Sequence, residues 1–542
     1  MPLNLEKDDN ILLYNKAEDL YEKSRNDDFA DFPDEIRKEF LLNGNRAAFE
    51  KLYFKRRDYM SATAILALFD DRYIDELEKI ILAICSEKSW MLPAHTIHGD
   101  DFVDLFIAET AFALAEISVI FADKLSENVK IRIKEEIQNH LTEKYISQTY
   151  WWEKCEMNWA AVCGAYVGGT LIYLFPDVFQ KHKERILATL NCYINGFTDE
   201  GFCLEGPSYW QYGFFAYSVF ADLLYKQSFG KDDLFESKKV RNIASYGANV
   251  MLKGDTALSI SDADENFKPD YALQHFLRDK IPDSVALPSA DNLCFYDANT
   301  KWMNYYRAII WQSNKKENTA QKNEVIYSSK AHQLIINKDG FSFAIKGGNN
   351  NEPHNHNDLG SFIFSDKDGQ VFCDLGAGRY TKDYFDDSKR YSIFCNSSLS
   401  HSVPVIDGKT QSAGENFTAK LTYENGIAVC DMSQAYDCPK LKALTRKAYI
   451  KENGVVINDS FAINETMTIV ERFVSKRQAV VKDGELLFGG TKLKFKREDL
   501  TLKISEVKHT PHEYDKDDAT VYCYDFILND GVTQVELEIT TE

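Results

Sequence analysis

Nowhere in the 542 residues does an apolar run approach the roughly 18 that a membrane span requires. Cysteine is present but unorganised: eleven are scattered along the chain and no two form a CxxC pair, which argues against a zinc ribbon or a disulfide framework and fits reduced, mostly buried thiols. The stretch "MPLNLEKDDNILLYNKAEDL" has neither the basic nor the apolar region of a signal peptide, so the expected compartment is the cytoplasm for the chain as given, periplasmic or secreted if it has been trimmed. Positive charge is in deficit as well. A net charge of −21 argues against nucleic acid or an anionic membrane as partner, although local cations such as Arg379, Lys382, Lys389 and Arg390 can still draw an anion into a cleft.

Aromatic residues are plentiful instead, with 35 Phe, 29 Tyr and 7 Trp, enough to fill a large core and to supply sugar-stacking faces besides. The length exceeds what one core supports, so two or more domains are expected. Up to about residue 315, apolar positions recur at helical spacing, as in "DDRYIDELEKIILAICSEK" (70–88) and "DFVDLFIAETAFALAEISVIFADKL" (101–125). Helical segments this numerous suggest an array or toroid rather than a four-helix bundle. After a polar linker, "QSNKKENTAQKNE" (312–324), short strand-like runs alternate with turns at Lys-Asp-Gly, Glu-Asn-Gly and Asn-Asp-Gly, the pattern of an antiparallel β-sandwich. The expected division is therefore a helical domain over 1–320 and a β domain over 321–542, with a cleft between domains the default place for a site.

Histidine is scarce, with 11 in all, yet "NNNEPHNHNDLGSF" (349–362) holds His354 and His356 one residue apart. Such a pair is metal-binding, catalytic or simply solvated. Asp374, after the run "GQVFCD", and His401, in "SLSHSVPVIDG", stand at strand ends that neighbouring hairpins can bring together, and two imidazoles with a carboxylate suit Zn²⁺ in a structural role. In "TDEGFCLEGPSYWQYGFFAYSVFADLL" (198–224), a loop with Glu205, Gly206 and Pro207 leads into a helix on which Tyr209 and Tyr212 share a face beside Trp210; an aromatic core stripe explains them equally well. In "YWWEKCEMNWAAVCGAYVGGTLIYL" (150–174), Asn158 is either an N-cap or a functional amide, and Trp151, Trp152 and Trp159 are either packing or a stacking wall.

Taken together, these motifs resemble the heparinase II/III family of polysaccharide lyases, over nearly the whole chain. The resemblance implies an incomplete α/α toroid followed by an antiparallel β-sandwich, and β-elimination on uronic-acid glycans. It implies that Asn158 neutralises the uronate carboxylate, that Tyr209 or Tyr212, with Tyr209 preferred, is the acid/base, and that His354 is a second base or charge stabiliser. His356, Asp374 and His401 match the family's metal site, held to be structural, with zinc the expected ion. Substrate contacts are expected from Trp159, Glu205, Trp210, Arg379, Tyr380 and Arg390, with Tyr391 weaker.

The partner implied is an acidic poly- or oligosaccharide, and a homo-oligomer is left open. The rivals are a glycoside hydrolase using carboxylates such as Asp199, Glu205, Asp262 or Asp264, a metal-dependent oxygenase, and a non-catalytic glycan-binding protein. The stretch "SISDADENF" around Asp262 reads mainly as a loop that shapes the cleft.

Overall fold

The computed structural model describes residues 10–25, 32–282, 287, 301–313, 324–512 and 516–542. Apart from its ends, the expected linker over 312–324 lies outside them. The chain forms two compact units and passes between them repeatedly: Met1–Phe197, Trp210–Ser245 and Lys268–Ala320 make the first, and Thr198–Tyr209, Tyr246–Phe267 and Gln321–Glu542 the second. The last passage, at Ala320 and Gln321, is where the period of the sequence changes. The two shorter excursions have no such signature, because a loop carries no apolar period.

The first unit is helical. In the segment read from its apolar spacing, the helix Ile74–Cys85 buries Leu77, Ile80, Ile81 and Ile84, the single stripe that i, i+3, i+4, i+7 spacing produces. Asp104 caps the next, Leu105–Ile120, by accepting from the Ile107 amide at 2.8 Å. That helix is buried almost all round, and its alanines allow close approach to Asn158–Leu174, a helix with glycines on its packing faces. At Gly169 a Cβ would stand 2.5 Å from the Phe112 ring, so the helix pair has no room for one there.

The second unit contains antiparallel sheets of nine, five and four strands, and one core runs through all three, joining Phe343 and Phe364, Leu421 and Ile457, and Phe473 and Phe526. The expected Glu-Asn-Gly turn closes the hairpin of Gly414–Glu424 and Ile427–Asp431: Glu424 pairs with Ile427, and Asn425 and Gly426 both adopt positive φ, as a type I′ turn demands. Two functional loops are fastened from beneath by Arg446, which is fully buried against Asp459 and Glu471 and donates to the carbonyls of Gly360 at 2.8 Å and Ser402 at 2.6 Å. These carbonyls flank the segments that carry His356 and His401.

Candidate active site

Asp262 is the centre of the second unit's polar core. Its carboxylate accepts from His354 Nδ1 at 2.9 Å and His356 Nε2 at 3.1 Å, from the Tyr380 hydroxyl at 3.1 Å and from the hydroxyl of Tyr384, with Arg390 Nη2 at 3.5 Å. Burial opposes ionisation, but the hydrogen bonds from the two histidines and the charge of Arg390 outweigh it and hold this carboxyl well below the usual carboxylate range. Backbone geometry allows the approach: Gly376, at φ 63°, lies where a Cβ would be 1.9 Å from the Ala263 carbonyl. This is the physical use of the first glycine in "LGAG".

The Tyr380 hydroxyl donates to Asp262, so in the 2.6 Å contact between the Tyr209 and Tyr380 hydroxyls Tyr209 is the donor. The Tyr209 ring lies flat on His354, with centroids 3.9 Å apart and planes 19° from parallel. Burial and then the negative Asp262 push the Tyr209 phenol above its ordinary pKa. His354 is half-buried, its Nε2 lies 3.8 Å from Glu205 Oε1, and its backbone adopts φ 58°, a region non-glycine residues seldom occupy. Tyr209, Tyr380 and His354 thus share one polar surface, at which a phenol and an imidazole are held together.

Behind it, His356, Asp374 and His401 converge: their ligand atoms lie within 4.8 Å of one another, and all three side chains are buried. His356 Nε2 donates to Asp262 and His401 Nε2 to the Cys395 carbonyl at 3.0 Å, which leaves both Nδ1 atoms as lone pairs facing Asp374. Neither buried Nδ1 has a hydrogen-bond partner. A pair of orphaned imidazole nitrogens beside a buried carboxylate is what a divalent cation would complete, so these residues fit a metal of the zinc type. Burial lowers and the Asp374 charge raises the His401 pKa, the charge prevailing; Asp374 is correspondingly depressed, against its own burial.

Residues 324–502 match the family model described as "Heparinase II/III-like, C-terminal". These residues form a heparinase II/III-like C-terminal domain. Solved structures agree over more of the chain. A heparinase III gene product is 13% identical with a TM-score of 0.63, covering 98% of this chain and 84% of that one. The heparan sulfate lyase HepC of Pedobacter heparinus is 14% identical with a TM-score of 0.56, covering 97% and 88%. The chondroitin AC lyase of Streptomyces coelicolor A3, solved with chondroitin sulphate, is 8% identical with a TM-score of 0.58, covering 97% and 82%. At these identities the likeness is one of fold: a helical N-terminal region followed by antiparallel sheets. No curated protein matches the sequence.

The heparinase II/III-like domain brings together most of the residues read from its motifs, and Glu205 and Tyr209 join them in the second unit from the earlier excursion of the chain. Asn158, Trp159, Trp210 and Tyr212 belong to the helical unit. Asn158 is buried as the first residue of its helix, where Met157 takes the N-cap, so capping does not account for it. Trp159 is half-buried and packs 5.1 Å from exposed Trp151, whereas Trp152 is fully buried and donates to the Val103 carbonyl. Tyr212 donates to Glu109 at 2.7 Å, a carboxylate that Lys301 also meets at 2.7 Å.

Two expectations of substrate contact need correcting. Trp210 is fully buried with its indole N–H on the Ile243 carbonyl and its ring stacked on Phe214, so the core-stripe alternative describes it. Arg390 is buried and donates to the carbonyls of Asn355 and Tyr384; it clamps the loop between the two histidines. Arg379 is half-buried, and Tyr391 donates to Asn355 Oδ1 at 2.9 Å. Sequence reasoning missed Tyr384, which sits between Asp262 and Arg390, and His512, whose exposed ring lies 4.2 Å from that of Tyr380. No spacing signal marks His512, which arrives from the far end of the chain.

Proposed function

We propose that this protein is a polysaccharide lyase, a carbon–oxygen lyase that cleaves uronic-acid glycans by β-elimination. The observation that carries the reading is the Tyr209–His354 pair: a protonated phenol stacked on an imidazole whose Nδ1 is engaged by a carboxylate. Elimination needs a base for the proton at C5, neutralisation of the adjacent carboxylate and an acid for the departing O4. His354 Nε2, with its Nδ1 proton tied to Asp262, offers the lone pair. Tyr209, kept neutral by burial and by Asp262, offers the proton, and Tyr380 takes up the hydrogen bond that steadies it. Asn158 is the proposed amide partner of the uronate carboxylate.

Glycosaminoglycan-type chains are the substrate class, in keeping with the heparan sulfate and chondroitin lyases that the chain resembles in fold. The buried triad His356, Asp374 and His401 is the proposed zinc site. Bound there, the ion supplies a cross-link between two loops and the strand end at Asp374 and takes no part in the reaction.

The hydrolase reading requires two carboxylates free to act on the sugar. Asp262 is fully engaged by its donors and held ionised, so it is not one of that pair. A panel of uronate glycans read in the ultraviolet tests the proposal. Elimination produces an unsaturated uronate that absorbs; new reducing ends without absorbance would convert the reading to a hydrolase, and neither signal would leave a glycan-binding protein.

A further inference from the structure

Two histidines one residue apart face two different tasks, and one carboxylate touches both. Asp262 Oδ2 receives Nδ1 of His354, while Oδ1 receives Nε2 of His356. An ionised carboxylate only accepts, so each contacted nitrogen must carry its ring's proton. Whenever both rings are neutral, the contacts therefore hold them in opposite tautomers: His354 keeps Nε2 as its lone pair, and His356 keeps Nδ1. Without such a partner an imidazole is free to exchange tautomers and to rotate, and a ring in the wrong tautomer presents N–H where a base is needed.

The rest of the cluster fixes Asp262 rather than competing with it. Tyr384 and Tyr380 each donate to one of its oxygens, Arg390 supplies the compensating charge, and Arg390 also grips the Asn355 carbonyl between the two rings. The carboxylate is fully buried and comes from the segment 260–263, seated against Gly376 and Gly206, far from either histidine in sequence. The peptide segment His354–His356 alone has no means of setting two tautomers in opposite senses; Asp262 supplies it from outside.

We propose that Asp262 is the positioning residue of this site, one carboxylate that sets His354 for the substrate and His356 for the metal by holding them in opposite tautomers. Its consequence for turnover rests on the lyase reading, whereas its consequence for the rings does not. The test uses the full chain loaded with Zn²⁺ and labelled with ¹⁵N-histidine, with the His354 signals identified by their disappearance in His354→Gln. In long-range ¹H–¹⁵N spectra at alkaline pH, the parent should carry the proton on Nδ1 of His354 and on Nε2 of His356. Asp262→Asn should return His354 to a mixture of tautomers and weaken zinc affinity by about 10–100-fold, the range for losing an acceptor behind a ligating histidine. At saturating zinc it should lower kcat by about 10²–10⁴-fold, as expected when a catalytic imidazole loses its orienting carboxylate, with KM within about threefold.

A parent His354 protonated on Nε2 would overturn the proposal, as would an unchanged His354 tautomer in Asp262→Asn. If that variant does not fold, the parent spectrum decides alone. Opposite tautomers in a parent that cleaves no uronate glycan would sink the lyase reading and uphold the role of Asp262 toward the two rings.

Discussion

One buried carboxylate in each unit, Glu116 in the first and Asp262 in the second, stands at the centre of a donor cluster, and the two clusters differ in what their donors can do next. In the helical unit Glu116 accepts from Tyr173, from the Trp302 indole and from Arg307, and it is fully buried. Asp262 is likewise buried and accepts from phenols with an arginine beside it. In the kinds of neighbour they have, phenol and guanidinium, the two are alike. Glu116, however, has an indole where Asp262 has two imidazoles, and an indole has a proton to give but no lone pair to offer afterwards. A buried carboxylate with satisfied donors is therefore not in itself a sign of chemistry; what marks the second cluster is that two of its donors carry a second nitrogen pointing elsewhere.

Substitutions can break this contrast. The largest effect is expected from Tyr209→Phe, which should cost at least about 10³-fold in kcat, while Tyr212→Phe, whose hydroxyl serves Glu109, should cost less than about tenfold; equal losses would mean that the acid/base has been misassigned. Next, His356→Ala should lose the metal and lower Tm along with activity. His354→Ala should lose only turnover, with metal content and Tm kept. Metal analysis and thermal unfolding of both variants separate the two, and matching metal loss would end the division of labour between them.

Glu116→Gln probes the other cluster. It leaves Arg307 buried without its counter-charge and should destabilise by about 3 kcal/mol in denaturant melts. The kcat of the folded fraction should stay unchanged, and a specific loss of turnover would erase the distinction drawn here. The smallest effect concerns pH. Burial lifts the Glu352 carboxyl from its ordinary 4.5 to about 7, with Lys346 pulling the other way. Because the folded pKa is raised, folding is favoured by protonated Glu352, and that contribution fades as pH rises from 4.5 through about 7. Glu352→Gln should flatten the stability profile across this window and exceed the parent by about 1 kcal/mol above it, a figure reduced because the side chain is only partly screened from solvent.

Much of this was legible in the sequence, and the illegible part has a common cause. The change of period, the histidine pair and the Glu-Asn-Gly turn are local patterns, and the last closes a hairpin where its spacing put it. Trp210 and Arg390 misled because an aromatic at a helix start and a cation in a loop look the same whether they face solvent or core. Asp262 was visible as an acid in a cleft-shaping loop, but its partners at 354, 356, 380, 384 and 390 are a hundred residues away, and no local rule selects one acid of "SDADE" over the others. Likewise, nothing in the pattern of 198–209 foretells that this loop leaves the helical unit.

The left-handed backbone at His354 has a consequence for anyone who would improve this protein. A non-glycine residue held at φ 58° costs on the order of 1 kcal/mol, and glycine would relieve it. His354→Gly would relax this backbone and at the same time take a donor from the buried Asp262 carboxylate, so strain and hydrogen bonding oppose one another at a single residue. Thermostability redesign of the chain must hold position 354 fixed, because the residue that relaxes the loop is not the one that serves the carboxylate.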